Sequence, residues 1–216
     1  MIYHVSPIVP ATPLRVPDGK RLFDLILVLV TLPLWAPVLL VLMLVICAAQ
    51  GPRVFYLHDR LGRHGRPFRM IKFRSMVPGA ANGVDQILRD PQMAEEWATK
   101  AKLTHDPRCT PLGRWMRRYS VDEIPQILNV LLGDMSLVGP RPVPLAEFQR
   151  HYSGDAVQAY LALRPGISGL WQVTARNSDY DRRLRIDTTY AEQRGLVTDL
   201  RILWQTFGAV VRGTGC

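Results

Sequence analysis

"KRLFDLILVLVTLPLWAPVLLVLMLVICAAQ", Lys20 to Gln50, is the stretch on which the fold turns. From Leu25 to Ala49 it carries no charged side chain. About 20 apolar residues cross a hydrocarbon core of ~30 Å, so length alone permits a membrane span. Two features argue against a simple crossing. Pro33 and Pro37 lie in the middle, where each removes a helix hydrogen bond and favours a kink. Positive charge also flanks both ends, with Lys20 and Arg21 before the run and Arg53, Arg60 and Arg63 after it. Basic flanks stay on the cytoplasmic side, so both ends are expected there. A re-entrant helix hairpin broken at Pro37 and Pro33 satisfies both conditions. Each arm would be about a dozen residues, ~18 Å of helix and about one leaflet. A cleaved signal sequence has an apolar region of ~7–15 residues behind a short basic start, and this run is longer and begins later. A soluble core helix of this length normally keeps a polar face.

The rest of the chain is ordinary in bulk. With 216 residues it is long enough for one domain with an appendage, and its formal charge of +9 points to acidic partners: nucleic acid, anionic lipid or phosphorylated small molecules. The charged fraction of 21% argues against wholesale disorder. Cys47, Cys109 and Cys216 form neither a disulfide framework nor a zinc pattern, which fits a reducing compartment. Pro7, Pro10, Pro13 and Pro17 mark residues 1–19 as a flexible leader. The organisation expected is therefore a leader (1–19), a membrane helix (20–50) and a cytoplasmic, membrane-associated domain (51–216).

Within that domain the signals are mainly helical with a small β element, an α+β class. "RVFYLHDRLGRHGRPFRMIKFR" (53–74) holds seven Arg or Lys against Asp59 alone. It reads as two strands around a turn at "GRHG". Its place after the apolar run makes an anionic lipid surface a natural neighbour. Arg63 and Arg66 suit a solvated basic face, whereas Lys72 and Arg74 are candidates to face a phosphate. A helix is expected over 84–103, interrupted near Pro91. Another follows Pro111, a third runs from Pro125 to near Gly133, and a fourth stops at Pro165 and Gly166. Late in the chain Leu196, Leu200, Leu203, Trp204, Phe207, Val210 and Val211 fall on one helical face, either core or a membrane interface.

The chemistry concentrates in "SVDEIPQILNVLLGDMSLVGPRP", Ser120 to Pro142. Adjacent Asp122 and Glu123 repel each other and call for a cation. Taken alone they are also what an acidic first helical turn looks like. Here Arg117 lies five residues earlier, and Arg141 stands between Pro140 and Pro142, which restrict the backbone behind a bidentate guanidinium. Gly139 is expected to leave room for a ligand. Carboxylates among arginines suit a metal-bound diphosphate. Mg²⁺ takes one or two protein carboxylates and fills its shell with phosphate oxygens and water, and no His or Cys set points to a softer metal.

The chain resembles the bacterial sugar transferases, the monotopic polyprenyl-phosphate hexose-1-phosphate transferases that initiate exopolysaccharide and O-antigen assembly. The likeness runs from about Lys20 to Gly213, through "KRLFDL", "IKFRSM", "DPRCTPLGRWMRRYSVDEIPQILNVLLGDMSLVGPRPV", "LRPGISGLWQV" and "DTTY…TDLRIL". It is greatest to the stand-alone exopolysaccharide enzymes that load galactose-1-phosphate or glucose-1-phosphate. The resemblance implies transfer of a sugar-1-phosphate from a UDP-sugar to undecaprenyl phosphate, with release of UMP, at the cytoplasmic face of the inner membrane. It implies Asp122 as the nucleophile that carries the phosphosugar, Glu123 as its partner in the dyad, and Arg141 as a phosphate ligand. Metal binding or proton handling is the part expected of Glu123, and Asp122 and Glu123 are the candidate Mg²⁺ ligands. Arg117, Lys72, Arg74, Arg164 and Arg176 are further candidates for phosphate or nucleotide contact. Inner-membrane lipids are expected partners, a homodimer is compatible, and nucleic acid is not expected, since no helix-turn-helix, zinc or RNP-like pattern occurs.

Two positions depart from the family pattern. Ala36 precedes Pro37 where a serine is common, and Ala175 in "VTARN" stands where a glycine is usual. If that glycine serves a positive φ, Ala175 is strained. The rival reading is a basic membrane-anchored binding protein without catalysis, which has no need of the dyad. A glycosidase pair needs carboxyls ~5–9 Å apart across a sugar bond, which sequence neighbours do not readily supply. Trp171 is as much packing as sugar platform, Asp187 is a structural partner for an arginine, and His58, His64, His105 and His151 need only surface places.

Overall fold

The computed structural model of the chain describes residues 18–80, 89–100, 103, 106–176 and 178–213. Nearly all of the expected leader, the start of the helix expected at 84, His105 and Cys216 lie outside the described residues.

The apolar run forms two helices, α1 (Asp18–Val30) and α2 (Leu32–Gln50). The interruption falls at Thr31, ahead of both prolines. Pro33 stands in the first turn of α2 and Pro37 lies inside it without ending it. The local chemistry explains the position. Pro33 has no N–H to offer the carbonyl four residues back. The Leu27 carbonyl accepts both the Thr31 N–H, at 3.0 Å, and the Thr31 hydroxyl, at 2.6 Å, and the Trp35 indole N–H donates to Val28 O at 2.9 Å. These bonds tie the break back to the last turn of α1. Among the described residues α2 is the one helix long and apolar enough to cross a membrane, by length and composition. The protein barely covers it: Leu34 is 73% exposed and Leu44 64%.

Both ends of this pair are nevertheless fixed to the same body. Lys20 Nζ lies 2.8 Å from Asp199 Oδ2, and Ser136 Oγ donates to Asp24 Oδ2 at 2.6 Å. Arg21 donates to the carbonyls of Val130 and Leu131. At the far end Ile46, fully buried, packs with Val54, Phe73 and Met116. Each such buried aliphatic contributes ~1.5–3 kcal/mol.

Strands β1 (Phe55–Leu61) and β2 (Pro67–Phe73) form the expected antiparallel hairpin, joined by a short 3₁₀ turn, Arg63–Gly65. Arg60 pairs with Phe68, His58 with Met70 and Tyr56 with Lys72. Opposed residues share a face and alternate positions return to it, so Arg60, His58 and Lys72 look the same way. Helix α3 (Pro91–Lys100) begins at Pro91, where the interruption is expected. The Asp90 carboxylate accepts from the backbone N–H of Gln92 at 2.9 Å, and proline is favoured where its missing N–H costs nothing.

Helix α4 (Pro111–Arg118) is capped by Thr110, whose hydroxyl accepts from Gly113 N. A 3₁₀ turn, Val121–Glu123, and helix α5 (Gln126–Leu132) follow, and α5 ends at Gly133 as its sequence predicts. The Asn129 amide clamps α5 to β2, accepting from Ile71 N at 2.9 Å and donating to Arg69 O at 2.8 Å. Two three-residue strands, β3 (Ser136–Val138) and β4 (Gly166–Ser168), pair in parallel. Between them lie α6 (Leu145–His151) and α7 (Asp155–Ala162), and after them α8 (Leu170–Thr174), α9 (Tyr180–Gln193) and α10 (Leu196–Val211). Tyr160 and Tyr190, both buried, anchor two of the core clusters.

The stripe on α10 resolves into two sides. Asp199, Ile202 and Leu203 face the body, whereas Leu196, Leu200, Trp204 and Phe207 stay exposed. The mainly helical α+β class holds.

Candidate active site

The acidic pair sits in the 3₁₀ turn between α4 and α5. Ser120, immediately before it, has φ 54°, the left-handed region that a residue with a side chain occupies at a cost. The turn buries Asp122, which is 6% exposed, and delivers both carboxylates to Lys72 on β2. Lys72 meets them there: its ammonium donates to Glu123 Oε1 at 2.7 Å and lies 3.9 Å from Asp122 Oδ2. Lys72 thus faces the carboxylates first, and any phosphate it touches lies beside them.

The two acids ionise unequally. Burial pushes the Asp122 carboxyl above the usual carboxylate range, and the Glu123 charge adds to that, against the pull of Lys72 and Arg117. Burial also opposes ionisation of Glu123, but Lys72, Arg141 and Arg176 prevail and hold it down to about 2. Neighbouring carboxylates with divergent environments are the arrangement from which distinct chemical roles arise.

A small cleft opens beside the pair, lined among others by Arg60, Lys72, Glu123, Arg141 and Gln172. Arg141 has no hydrogen-bond or ion-pair partner among the described residues and is held between the buried Pro140 and Pro142. Its backbone is fixed from behind. Gly139 N donates to Ser168 O and Gly166 N to Pro140 O, both at 2.9 Å. A Cβ on Gly139 would lie 2.3 Å from Arg164 O, so the expected room for a ligand is taken by the crossing backbone of the β3–β4 pair.

The remaining candidates separate. Arg176 stays with the dyad, its guanidinium 3.5 Å from Ser120 Oγ. Arg117 stands behind it, donating to Cys109 Sγ at 2.8 Å. Arg74 turns to the end of α2 and donates to Gln50 O. Arg164 donates to Gly133 O at 2.9 Å, at the C-terminus of α5, and lines a different cavity with Lys20 and Arg21. Ala175 has φ −150°, so no strain arises there. Trp171 packs against Arg183, whose guanidinium lies 4.9 Å from its ring centre and 4.9 Å from that of Tyr180. Asp187 lies 3.8 Å from Arg183 Nε, the arginine partnership expected of it.

Sequence reasoning passed over Arg60, His58 and Gln172. For the first two a signal existed: once the turn at "GRHG" sets the register, Arg60 and His58 must share the face of Lys72. For Gln172, brought in by the short α8 after β4, none did.

The pair also passes a test for a hard divalent cation. A buried carboxyl whose nearest ammonium is 3.9 Å away is under-compensated, and Mg²⁺ commonly binds through one or two carboxylates. Among the described residues no group of three or more His, Cys, Asp or Glu gathers in one place, so such an ion would draw most of its shell from ligand oxygens and water.

Comparison with known proteins bears on this arrangement. The sequence profile of the family described as bacterial sugar transferase matches residues 17–213. The chain is 43% identical over 198 residues to the UDP-galactose-lipid carrier transferase of Erwinia amylovora. It is 42% identical to the undecaprenyl-phosphate galactose phosphotransferase of Salmonella typhimurium. Each match covers 91% of this chain but 41% of the relative, so the chain spans under half the length of those proteins. With the exopolysaccharide production protein ExoY of Rhizobium meliloti the identity is 40%, over 91% of this chain and 87% of the relative.

Proposed function

The chain belongs to the bacterial sugar transferase family, and we propose that it transfers a sugar-1-phosphate from a UDP-sugar to undecaprenyl phosphate, releasing UMP, as the first step of exopolysaccharide or O-antigen synthesis. The observation that carries the reading is the buried Asp122–Glu123 pair, compensated by Lys72, at the edge of a cleft into which Arg141 comes without a protein partner. Galactose is the favoured sugar, with glucose the alternative, since two relatives carry galactose in their names.

In this reading an Asp122 carboxylate oxygen attacks the phosphorus that bears the sugar. The bond from that phosphorus to the UMP oxygen breaks, and UMP leaves with the electron pair. An oxygen of undecaprenyl phosphate then attacks the same phosphorus, and the carboxylate departs unchanged. The acyl phosphate splits one difficult transfer into two steps and lets one polyanion leave before the next arrives. Arg141 holds a phosphate by its fork, and Lys72 keeps Glu123 ionised and in place. Asp122 and Glu123 would hold Mg²⁺, whose chemistry there would be to neutralise charge on the phosphate oxygens.

Residues 20–50 insert in the inner membrane as a re-entrant hairpin turning near Thr31, and residues 51–216 work at its cytoplasmic face. Two features support this. The start of α1 and the end of α2 are fixed to one body while the apolar surface between them is open. The exposed side of α10 adds an interfacial face. Tags at both termini should report cytoplasmic; a periplasmic N-terminus overturns the hairpin.

The decisive assay measures UMP released by nanodisc-embedded protein with Mg²⁺, undecaprenyl phosphate and a panel of UDP-sugars. Release that needs lipid and metal supports the reading and identifies the hexose. Binding of nucleotide without release under any donor favours a non-catalytic binding protein.

A further inference from the structure

Resting on that reading of the cleft, we propose that Arg60, held by His58, is a second guanidinium for the diphosphate of the donor. The hairpin register puts both residues on the face of Lys72. Arg60 lines the cleft together with Arg141. Its terminal nitrogen is 3.1 Å from His58 Nδ1, while its Nε is buried with no hydrogen-bond partner. Among the described residues no carboxylate forms an ion pair with Arg60, nor with Arg141. Lys72 is already engaged by Glu123 at 2.7 Å. Two guanidiniums therefore open on one cleft with no ion pair at contact distance, Glu147 and Glu123 acting on Arg60 and Arg141 only from farther away. That arrangement is costly for a fold, because a buried charge is tolerated when it is paired. A ligand with about two negative charges on adjacent groups satisfies both forks at once, and a diphosphate is such a ligand.

His58 has the chemistry for its part. An imidazole accepts at Nδ1 only while neutral. Burial first, and then the charges of Arg60 and Lys72, push the His58 pKa down to about 4. The ring thus stays an acceptor across the working pH range and turns the Arg60 fork toward the cleft. Arg60 is the binding residue and His58 the positioning one.

The test uses the full chain in nanodiscs and inorganic pyrophosphate as probe, followed by calorimetry and by the rise in melting temperature. Arg60→Gln is expected to bind pyrophosphate at least ~10-fold more weakly, as for loss of a charged hydrogen bond, with the ligand-free melting temperature near that of wild type. His58→Phe should weaken binding in the same direction and His58→Asn, which keeps an acceptor, should recover part of it; a merely structural role would not give that recovery. If Arg60→Gln does not fold, Arg60→Lys decides, since it keeps the charge and loses the fork: about threefold or weaker binding supports the assignment, and equal affinity overturns it. Unchanged affinity in Arg60→Gln, or no pyrophosphate binding by the wild type, also overturns it. Pyrophosphate binding that depends on Arg60, in a protein that releases UMP from no UDP-sugar, would remove the transferase reading and leave this one standing.

Discussion

Two buried mixed-charge clusters in this molecule look alike in composition and differ in closure. In the first, Lys20 lies 2.8 Å from Asp199 and 3.3 Å from Asp24, Ser136 donates to Asp24, and Tyr190 donates to Asp199 at 2.8 Å. Both carboxylates share Lys20 and each also accepts a hydroxyl hydrogen bond, and the residues come from α1, β3, α9 and α10. The second cluster, at the dyad, also has one ammonium for two carboxylates, but among the described residues no hydroxyl donates to either acid, and two guanidiniums beside it form no ion pair. A closed network ties segments together; an open one has capacity for a ligand. The sharpest way to break this contrast is to exchange the consequences of mutation. Asp122→Asn should lower UMP release by at least ~10⁴-fold, the scale of losing a nucleophile, while the melting temperature stays within a few degrees. A wild-type rate in this variant would remove Asp122 from the chemistry.

Asp199→Ala should do the reverse. It leaves Lys20 with Asp24 alone, at 3.3 Å, and the Tyr190 hydroxyl with the Val138 carbonyl alone, at 3.2 Å, and breaking a buried pair from one side costs up to ~3–5 kcal/mol. Urea unfolding of the protein, solubilised in mild detergent, measures that loss. The specific rate of whatever remains folded should be close to that of wild type. A stable variant with a lost rate would make the first cluster functional and dissolve the distinction.

Between these extremes stands Asp187. It lies 3.8 Å from Arg183, which is also 3.2 Å from Glu147, and one of its oxygens is buried without a hydrogen bond. Burial pushes its carboxyl up to about 7, against the pull of Arg183 and Arg141. The sign follows from linkage. A folded-state pKa above the unfolded value of 3.8 means that the folded chain binds the proton more tightly. The stabilisation is complete below that unfolded value and is lost as pH rises through about 7. Wild type should therefore lose a few kcal/mol, at most, of stability between about pH 4 and pH 7 relative to Asp187→Asn. Parallel pH profiles for the two proteins would refute the assignment.

The sequence made some of this contrast readable and hid the rest for physical reasons. The hairpin, the helix caps at Pro111 and Gly133 and the dyad turn are local: each is set by residues within a few positions of one another. The apolar run was legible from composition alone, but its break at Thr31 is held by a hydroxyl and an indole reaching back to the carbonyls of Leu27 and Val28. The roles of the arginines depended on contacts across the chain. Arg164 and Arg74 are drawn away by carbonyls at helix ends, 31 and 24 residues distant. Arg60 enters the site through a strand register that was available but not followed to its consequence. Lys20 and Asp24 meet Asp199 and Ser136 over more than a hundred residues, which no pattern of neighbours displays.

The smallest effect concerns Ala175, at the edge of the dyad side of the molecule. A glycine there would matter most if the backbone required positive φ, yet Ala175 has φ −150° and ψ 38°, and its N–H donates to Trp171 O at 2.9 Å as the cap of α8. The alanine is already in a region open to any residue with a side chain. Glycine would add freedom to the unfolded chain without relieving strain, so Ala175→Gly should destabilise by ~0.5–1 kcal/mol. The order of preference among UDP-sugars should not change, because the residues that line the cleft keep their contacts. A gain in stability would mean that the loop relaxes into a conformation only glycine allows. A changed sugar preference would place this loop in contact with the hexose, extending the open cluster from the phosphates to the sugar.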